Sequence, residues 1–447
     1  MTAGTEPGTA RIDLRLGPGL VLRHPRHPPE RGYVEIAGRR IHHVGREPSG
    51  ADARSTVPTP GCIIVPAFLN THCHTSQQLG RGLADDVDLL TWLHRRIWPY
   101  ELALTEPDSE VAASLCALEQ IRSGTTTLVD PGGRHVDGMA RGLAAAGLRA
   151  FIGRSSMDSG DGRPVDDRDG TDRALDAQDE LHDRWDGEGR LRFSYTLRTI
   201  FNCSDSLILG TMERAAARDS LIQMHVAEIP EELAYSRATR GATTIRHLGH
   251  LGVLGPRFLA VHATWADDEE IELMAASATS VSHNAASNLK ILGVPRVAEW
   301  VEAGINVALG TDGAPSNNRM SIIDEMWLAS LTQKGRRLDP TVLPAPDVLA
   351  MATTNGADAV GMGHELGRLE PGFLADLTIV DTRTANMAPV HDPHAALVTS
   401  MKSENVRSVL CEGEWLMRDG RVLALDEDAL LAEAAERAVA IRGRLAG

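Results

Sequence analysis

A group of histidines and one aspartate in this chain could do chemistry, and each follows an apolar, strand-like run. His72-Cys73-His74 comes after Ile63-Ile64-Val65, His225 after Leu221-Ile222-Gln223-Met224, His262 after Phe258-Leu259-Ala260-Val261, and Asp312 after Val307-Ala308-Leu309. Side chains two apart on an extended segment share a face. His72 and His74 are therefore expected to form a two-pronged arm for one divalent ion, Zn²⁺ before Fe²⁺, with Cys73 turned the other way. His225 and Asp312 would complete the ligand set and leave one position for water, as hydrolytic metal sites do. Such an ion brings the pKa of bound water near neutrality. Glu228, three residues after His225, is placed to carry a proton to a departing nitrogen, which is a very poor leaving group as an amide anion. The plainer reading of Glu228 is a surface residue opening the acidic stretch 228–232. His262 would orient the water, against the alternatives of a fifth ligand or a buried core histidine.

Those residues need a scaffold that brings distant strand ends together. Apolar runs at 125–129, 149–153, 192–197, 221–226, 258–262, 279–282 and 305–309, with the run before His72, make eight strand candidates. Helix-like stretches such as 108–122, 136–146, 267–277 and 295–303 lie between them. Near-continuous apolar strands alternating with helices imply a parallel sheet, and eight units over this length imply a (β/α)8 barrel spanning 66–365. Short β-like runs recur at both chain ends. Segments 1–65 and 366–447 are expected to form a small β-sandwich domain plus a helix from Glu427 onward. The Asp-, Gly- and Arg-rich segment 155–190 reads as a long loop or lid over the strand ends.

Composition narrows the partners. The chain has 447 residues and a net charge of -16, which argues against a nucleic-acid or acidic-membrane partner. No run approaches the roughly 18 apolar residues of a membrane span. No signal peptide is evident, and the five dispersed cysteines show no disulfide framework, so a cytoplasmic setting is expected.

Longer stretches around these residues resemble the amidohydrolase superfamily, in its cytosine-deaminase-like and triazine-hydrolase-like branch. They are Pro66-Ala67-Phe68-Leu69-Asn70-Thr71-His72-Cys73-His74, His225-Val226-Ala227-Glu228, Ser282-His283-Asn284-Ala285-Ala286-Ser287-Asn288-Leu289-Lys290 and Gly310-Thr311-Asp312-Gly313-Ala314-Pro315-Ser316-Asn317-Asn318. Gly367-Arg368-Leu369-Glu370-Pro371-Gly372-Phe373-Leu374-Ala375-Asp376-Leu377 is similar to the family's return into the small sheet domain. Within the branch, the resemblance is greatest to S-adenosylhomocysteine/methylthioadenosine deaminases. It implies that Trp92 walls the pocket, that Glu101 holds the ribose hydroxyls, and that Arg154, Arg163 and His283 bind substrate. It also implies a homodimer.

Two departures carry information. Related barrels often bridge two metals with a carbamylated lysine, but no lysine lies between His74 and Asn288, so a single ion is expected. The run 192–197 is followed by Arg198, where the nucleoside deaminases usually have a histidine. A permanent, longer cation there points to a substrate with an anionic group, such as aminodeoxyfutalosine, or to pairing with acidic residues of the lid. The expected activity is hydrolytic deamination of an adenine-like nucleoside: methylthioadenosine, S-adenosylhomocysteine, adenosine or aminodeoxyfutalosine. The alternative is another N-heterocycle, namely an s-triazine, a pterin, guanine or cytosine. A cyclic-amide hydrolase is disfavoured by the missing lysine, and a non-catalytic binding protein by the complete set of ligands and proton carriers.

Overall fold

The computed structural model describes residues 11–160 and 170–446. Five strands open the chain: β1 (Ile12–Val21), β2 (Glu30–Ala37), β3 (Arg40–Gly45), β4 (Ala53–Val57) and β5 (Cys62–Pro66). Eight more follow: β6 (Phe68–Asn70), β7 (Thr125–Asp130), β8 (Arg149–Ile152), β9 (Leu191–Leu197), β10 (Leu221–Val226), β11 (Phe258–His262), β12 (Ser280–His283) and β13 (Val307–Leu309). The last four are β14 (Leu377–Asp381), β15 (Val406–Cys411), β16 (Glu414–Arg418) and β17 (Arg421–Val422).

Strands β6 to β13 pair in sequence order, all parallel. The Thr71 amide, donating to the Leu309 carbonyl at 2.8 Å, brings the two edges together and nearly closes an eight-stranded barrel. Leu69, Val129, Phe151, Leu221, Leu259 and Ala308 share one buried cluster contributed by six different barrel strands. This filling explains why the strands read as unbroken apolar runs in the sequence.

The two chain ends meet through β5, which pairs parallel with β1 and antiparallel with β14. The result is a nine-stranded mixed sheet, separate from the barrel and built from both ends. The helix Glu427–Ala446 crosses back to the barrel, where Arg437 and Arg444 bind Asp108 on the helix Glu106–Arg122.

One expectation is corrected. Segment 155–190 is not a continuous loop: Thr171–Trp185 is a helix with Ala174, Leu175 and Ala177 buried. Gln178 and Asp179 share its buried face and most of its other polar residues face outward, which masks the apolar spacing when composition alone is read. The stretch 161–169, including Arg163, lies outside the described residues.

A buried charge cluster joins sheet to barrel at the end of the strands away from the histidines. Arg149, the first residue of β8, donates to Asp376 (2.6 Å) and Glu412 (2.8 Å). Asp376 also accepts from Thr126 and from the Glu412 amide. Burial would raise the Glu412 carboxyl, but bonds from Arg39, Arg149 and Arg190 outweigh it and hold the group at about 2. Its stabilisation is therefore complete above the unfolded carboxyl value near 4.5 and is lost as pH falls toward 2. Arg149→Met removes the shared partner of two buried carboxylates and is expected to cost about 3–5 kcal/mol. The check is the urea midpoint at pH 7, and an unchanged midpoint would remove this joint from the account of stability.

Candidate metal centre and active site

Every candidate residue of the sequence-read cluster sits at the C-terminal end of the barrel, where enzymes of this architecture place their chemistry. His72 and His74 follow β6, His225 is the penultimate residue of β10, His262 ends β11, and Asp312 lies three residues beyond β13. Along β10, alternation from the interior residue Leu221 passes through Gln223 to His225, so one register aims all three inward. His262 is out of phase with the interior residue Leu259, and a left-handed φ of 72° re-aims its ring. Asp312 has φ 60° and Ala227 φ 49°. Non-glycine residues held there cost roughly 1–3 kcal/mol each and concentrate where function constrains the backbone.

The side chains converge tightly. His74 Nε2 lies 3.3 Å from His225 Nε2 and 3.4 Å from Asp312 Oδ1, and His72 Nε2 lies 3.5 Å from the same oxygen. His225 Nδ1 donates to the Arg198 carbonyl at 2.8 Å, which leaves its Nε2 as a lone pair. That lone pair faces another imidazole nitrogen. His72 Nε2 is buried without a hydrogen-bond partner among the described residues. Bare acceptors crowded in this way repel one another unless a cation lies between them. Ligands about 2.0–2.1 Å from a tetrahedral Zn²⁺ stand about 3.4 Å apart, in agreement with these separations. Two sets of ligand atoms, His72/His74/His225 and His72/His262/Asp312, lie close enough to hold an ion.

Electrostatics matches that donor set. Burial, followed by the neighbouring His72, drives His74 and His225 well below the usual histidine range, so both are neutral bases. Burial lowers His262 to about 4. Burial would raise Asp312, but the surrounding imidazoles, His72 first, hold it well below the usual carboxylate range. Glu228 moves the opposite way. Burial, then Glu232 and Asp312, raise it well above normal, which favours its protonated form. Its Oε1 lies 3.6 Å from His262 Nε2. Two buried carboxyl groups whose pKa values are pushed apart in opposite directions thus face one pocket, an arrangement suited to proton transfer in both directions.

The pocket measures about 530 Å³, including space open to solvent. His74, His225, Glu228, His262 and Asp312 lie in its lining, while Leu89, Trp92, Leu93, Phe201 and Ile291 supply apolar walls. Arg198 also faces in; it is 5% exposed. Among the described residues its one side-chain bond is a long one to Ser155 Oγ (3.4 Å), and no carboxylate comes within 4.0 Å.

Other sequence candidates are not brought to this pocket. Glu101 accepts from Gln77 at 2.9 Å and does not line the wall. His283 is buried behind Asn288, 3.4 Å from its amide nitrogen, and burial lowers it to about 3. Arg154 lines a separate cleft with Arg134, His135 and Glu180.

The sequence reading passed over the supports. Asn288 Oδ1 holds His262 Nδ1 (2.8 Å), and Ser287 donates to Asp312 (2.6 Å). Gln223 lies 3.4 Å from His72 Nδ1. Asp130, which ends β7, accepts from Thr75 beside His74 and from Gly132, and burial raises it to about 6. Asp130 occupies on β7 the position His262 occupies on β11, so a scan of all eight strand ends would have found it.

This barrel and its histidine-rich mouth place the chain in a known class: it belongs to the amidohydrolase family, whose pattern matches residues 63–416. It is 39% identical over 411 residues to a 5'-deoxyadenosine deaminase of Methanothermobacter thermautotrophicus, covering 92% of this chain and 94% of the relative. Identity to a 5-methylthioadenosine/S-adenosylhomocysteine deaminase of Syntrophomonas wolfei is 35% over 421 residues, 93% of this chain and 95% of that one. Among solved structures, an adenosine deaminase from Xanthomonas campestris with bound zinc superposes with TM-score 0.91 at 28% identity, covering 97% and 99% of the two chains. Atrazine chlorohydrolase from Arthrobacter aurescens TC1, complexed with zinc, gives 0.88 at 25% identity over 95% of this chain and 100% of that one. No helix of the described residues is long and apolar enough to cross a membrane.

Replacing Gln223 by Leu should cost roughly 10–100-fold in zinc affinity, the usual penalty for losing a group that orients a ligand. His225→Ala should cost more. Competition with a chromophoric chelator reads both, and wild-type affinity in His225→Ala would exclude it as a ligand.

Proposed function

We propose that this protein is a mononuclear metal-dependent deaminase that releases ammonia from an adenine-like nucleoside. The observation that carries the reading is the convergence of His72, His74, His225 and Asp312 beside the buried Glu228 carboxyl, at a pocket walled by Trp92. The two deaminase relatives support the nucleoside class, and the zinc-bound neighbours support zinc.

The three histidines and Asp312 would hold the ion, which supplies the Lewis acidity that readies a water for attack near neutral pH. Asp312, ionised and steadied by Ser287, receives the proton the water gives up. His262 has Nδ1 between the Asn288 oxygen and the Asn284 amide nitrogen, which leaves its Nε2 to orient the attacking water. Glu228 delivers its proton to the ring nitrogen beside the amino-bearing carbon. A proton then reaches the amine, which departs as ammonia rather than as amide anion. Trp92 and the leucines exclude solvent from the ring.

Arg198 bears on which nucleoside is taken. A guanidinium that meets no carboxylate among the described residues and faces the pocket supports a substrate that presents an anionic group, such as a carboxylate on the 5′-substituent. Glu101, engaged by Gln77, gives the ribose no anchor in this conformation, which keeps a free base or triazine as the second reading.

The test is ammonia release by zinc-reconstituted protein from adenosine, methylthioadenosine, S-adenosylhomocysteine, aminodeoxyfutalosine, guanine, cytosine, a pterin and a triazine. Turnover of adenine nucleosides alone supports the reading, whereas turnover only of a free base or triazine defeats it. Glu228→Gln should keep its zinc and lose about 10²–10⁴ in kcat, measured by single-turnover assay with metal analysis. Arg198→Met should lower kcat/KM for a 5′-carboxylate-bearing nucleoside about 10-fold more than for methylthioadenosine, the scale of one charged hydrogen bond. An unchanged ratio between the two substrates would show that Arg198 reads no anion.

A further inference from the structure

Glu232 holds no ligand or proton-carrier role above, yet it is completely buried in the first turn of the helix that follows β10. It occupies the third position of the helix Pro230–Arg240 and reaches back toward the end of β10. One carboxylate oxygen accepts the Ala227 amide at 2.8 Å, and the other accepts the Glu228 amide at 2.7 Å. The first oxygen also accepts the Thr244 hydroxyl at 2.5 Å, tying the group to the helix Thr244–His250.

Two consecutive amides can point at one acceptor only if the backbone turns sharply between them. Ala227 does so with its φ of 49°, a conformation that L-residues rarely adopt unaided. Successive amides in such a turn form a concave donor pair suited to an anion. Among the described residues, the side-chain acceptor of both amides is Glu232. The partner held by this arrangement is the residue whose carboxyl must reach both His262 and the substrate ring.

We infer that Glu232 is a positioning residue: its carboxylate fixes the strained 227–228 backbone and thereby aims the Glu228 carboxyl at the reacting ring. This rests on the reading of Glu228 as proton carrier. A residue that acts only through Glu228 has nothing left to do once Glu228 has been removed. A residue that merely stabilises the barrel would reduce the rate by the same factor in either background.

The test is a double-mutant cycle on the zinc-loaded enzyme with Glu228→Gln, Glu232→Gln and the pair, using the best nucleoside of the panel. Glutamine keeps the size of Glu232 but turns an amide donor toward one of the two backbone donors. Glu232→Gln alone should lose about 10²-fold in kcat, the scale of a 1 Å misplacement, while KM moves less than about 3-fold and zinc content stays at the wild-type level. In the Glu228→Gln background, the same substitution should change kcat by less than about 2-fold. If the two losses multiply, or if Glu232→Gln turns over like wild type, the inference fails while the role of Glu228 stands. If Glu228→Gln itself turns over like wild type, the proton-carrier reading and this inference fall together. Should Glu232→Gln not fold by circular dichroism, Thr244→Val loosens the same carboxylate. It should show a smaller loss of kcat with the same non-additivity, and additivity there would equally overturn the inference.

Discussion

The structure depends on keeping several polar acceptors buried together at one end of the barrel without their usual partners. Imidazole nitrogens and a carboxylate stand 3.3–3.5 Å apart at positions that solvent scarcely reaches. Burying such groups unpaired costs several kcal/mol each. Three of the groups are held from behind: His225 by the Arg198 carbonyl, His262 by Asn288, Asp312 by Ser287. These supports commit one side of each of the three to the protein and leave the other facing the pocket.

Backbone strain at the same end follows from that constraint. Strand alternation aims every second residue inward, but the cluster needs groups at positions that alternation does not provide. Left-handed turns at Ala227, His262 and Asp312 supply those directions. Each is over-determined by hydrogen bonds, as at Ala227, where Glu232 holds two adjacent amides. The chain thus uses regular strands to bring the residues near and irregular strand ends to aim them.

The opposite end of the barrel carries a different charge cluster with a different task. Arg149, Asp376 and Glu412 are fully paired, buried and remote from the pocket, and they fasten the sheet made by the two chain ends. Charge at the strand C-termini is left partly unsatisfied toward the pocket, whereas charge at the N-termini is closed on itself. This separation lets the mouth vary its loops without loosening the joint.

The sequence alone determined the fold class, because apolar runs of strand length alternating with helices leave few arrangements other than a parallel barrel. It also singled out His72, His74, His225, His262 and Asp312, because polar groups that end apolar runs have few structural reasons to be there. Tertiary structure decided what periodicity cannot carry. It placed Glu101 on Gln77 and His283 behind Asn288, away from the pocket, because the loops after the strands carry no repeating pattern that fixes their direction. It turned the polar-looking segment at 171–185 into a helix with five residues buried, two of them polar. It also revealed Glu232, whose place beside Glu228 comes from a left-handed turn that no side-chain pattern announces. Local sequence sets which residues stand at the strand ends, and only packing between elements sets where their atoms point.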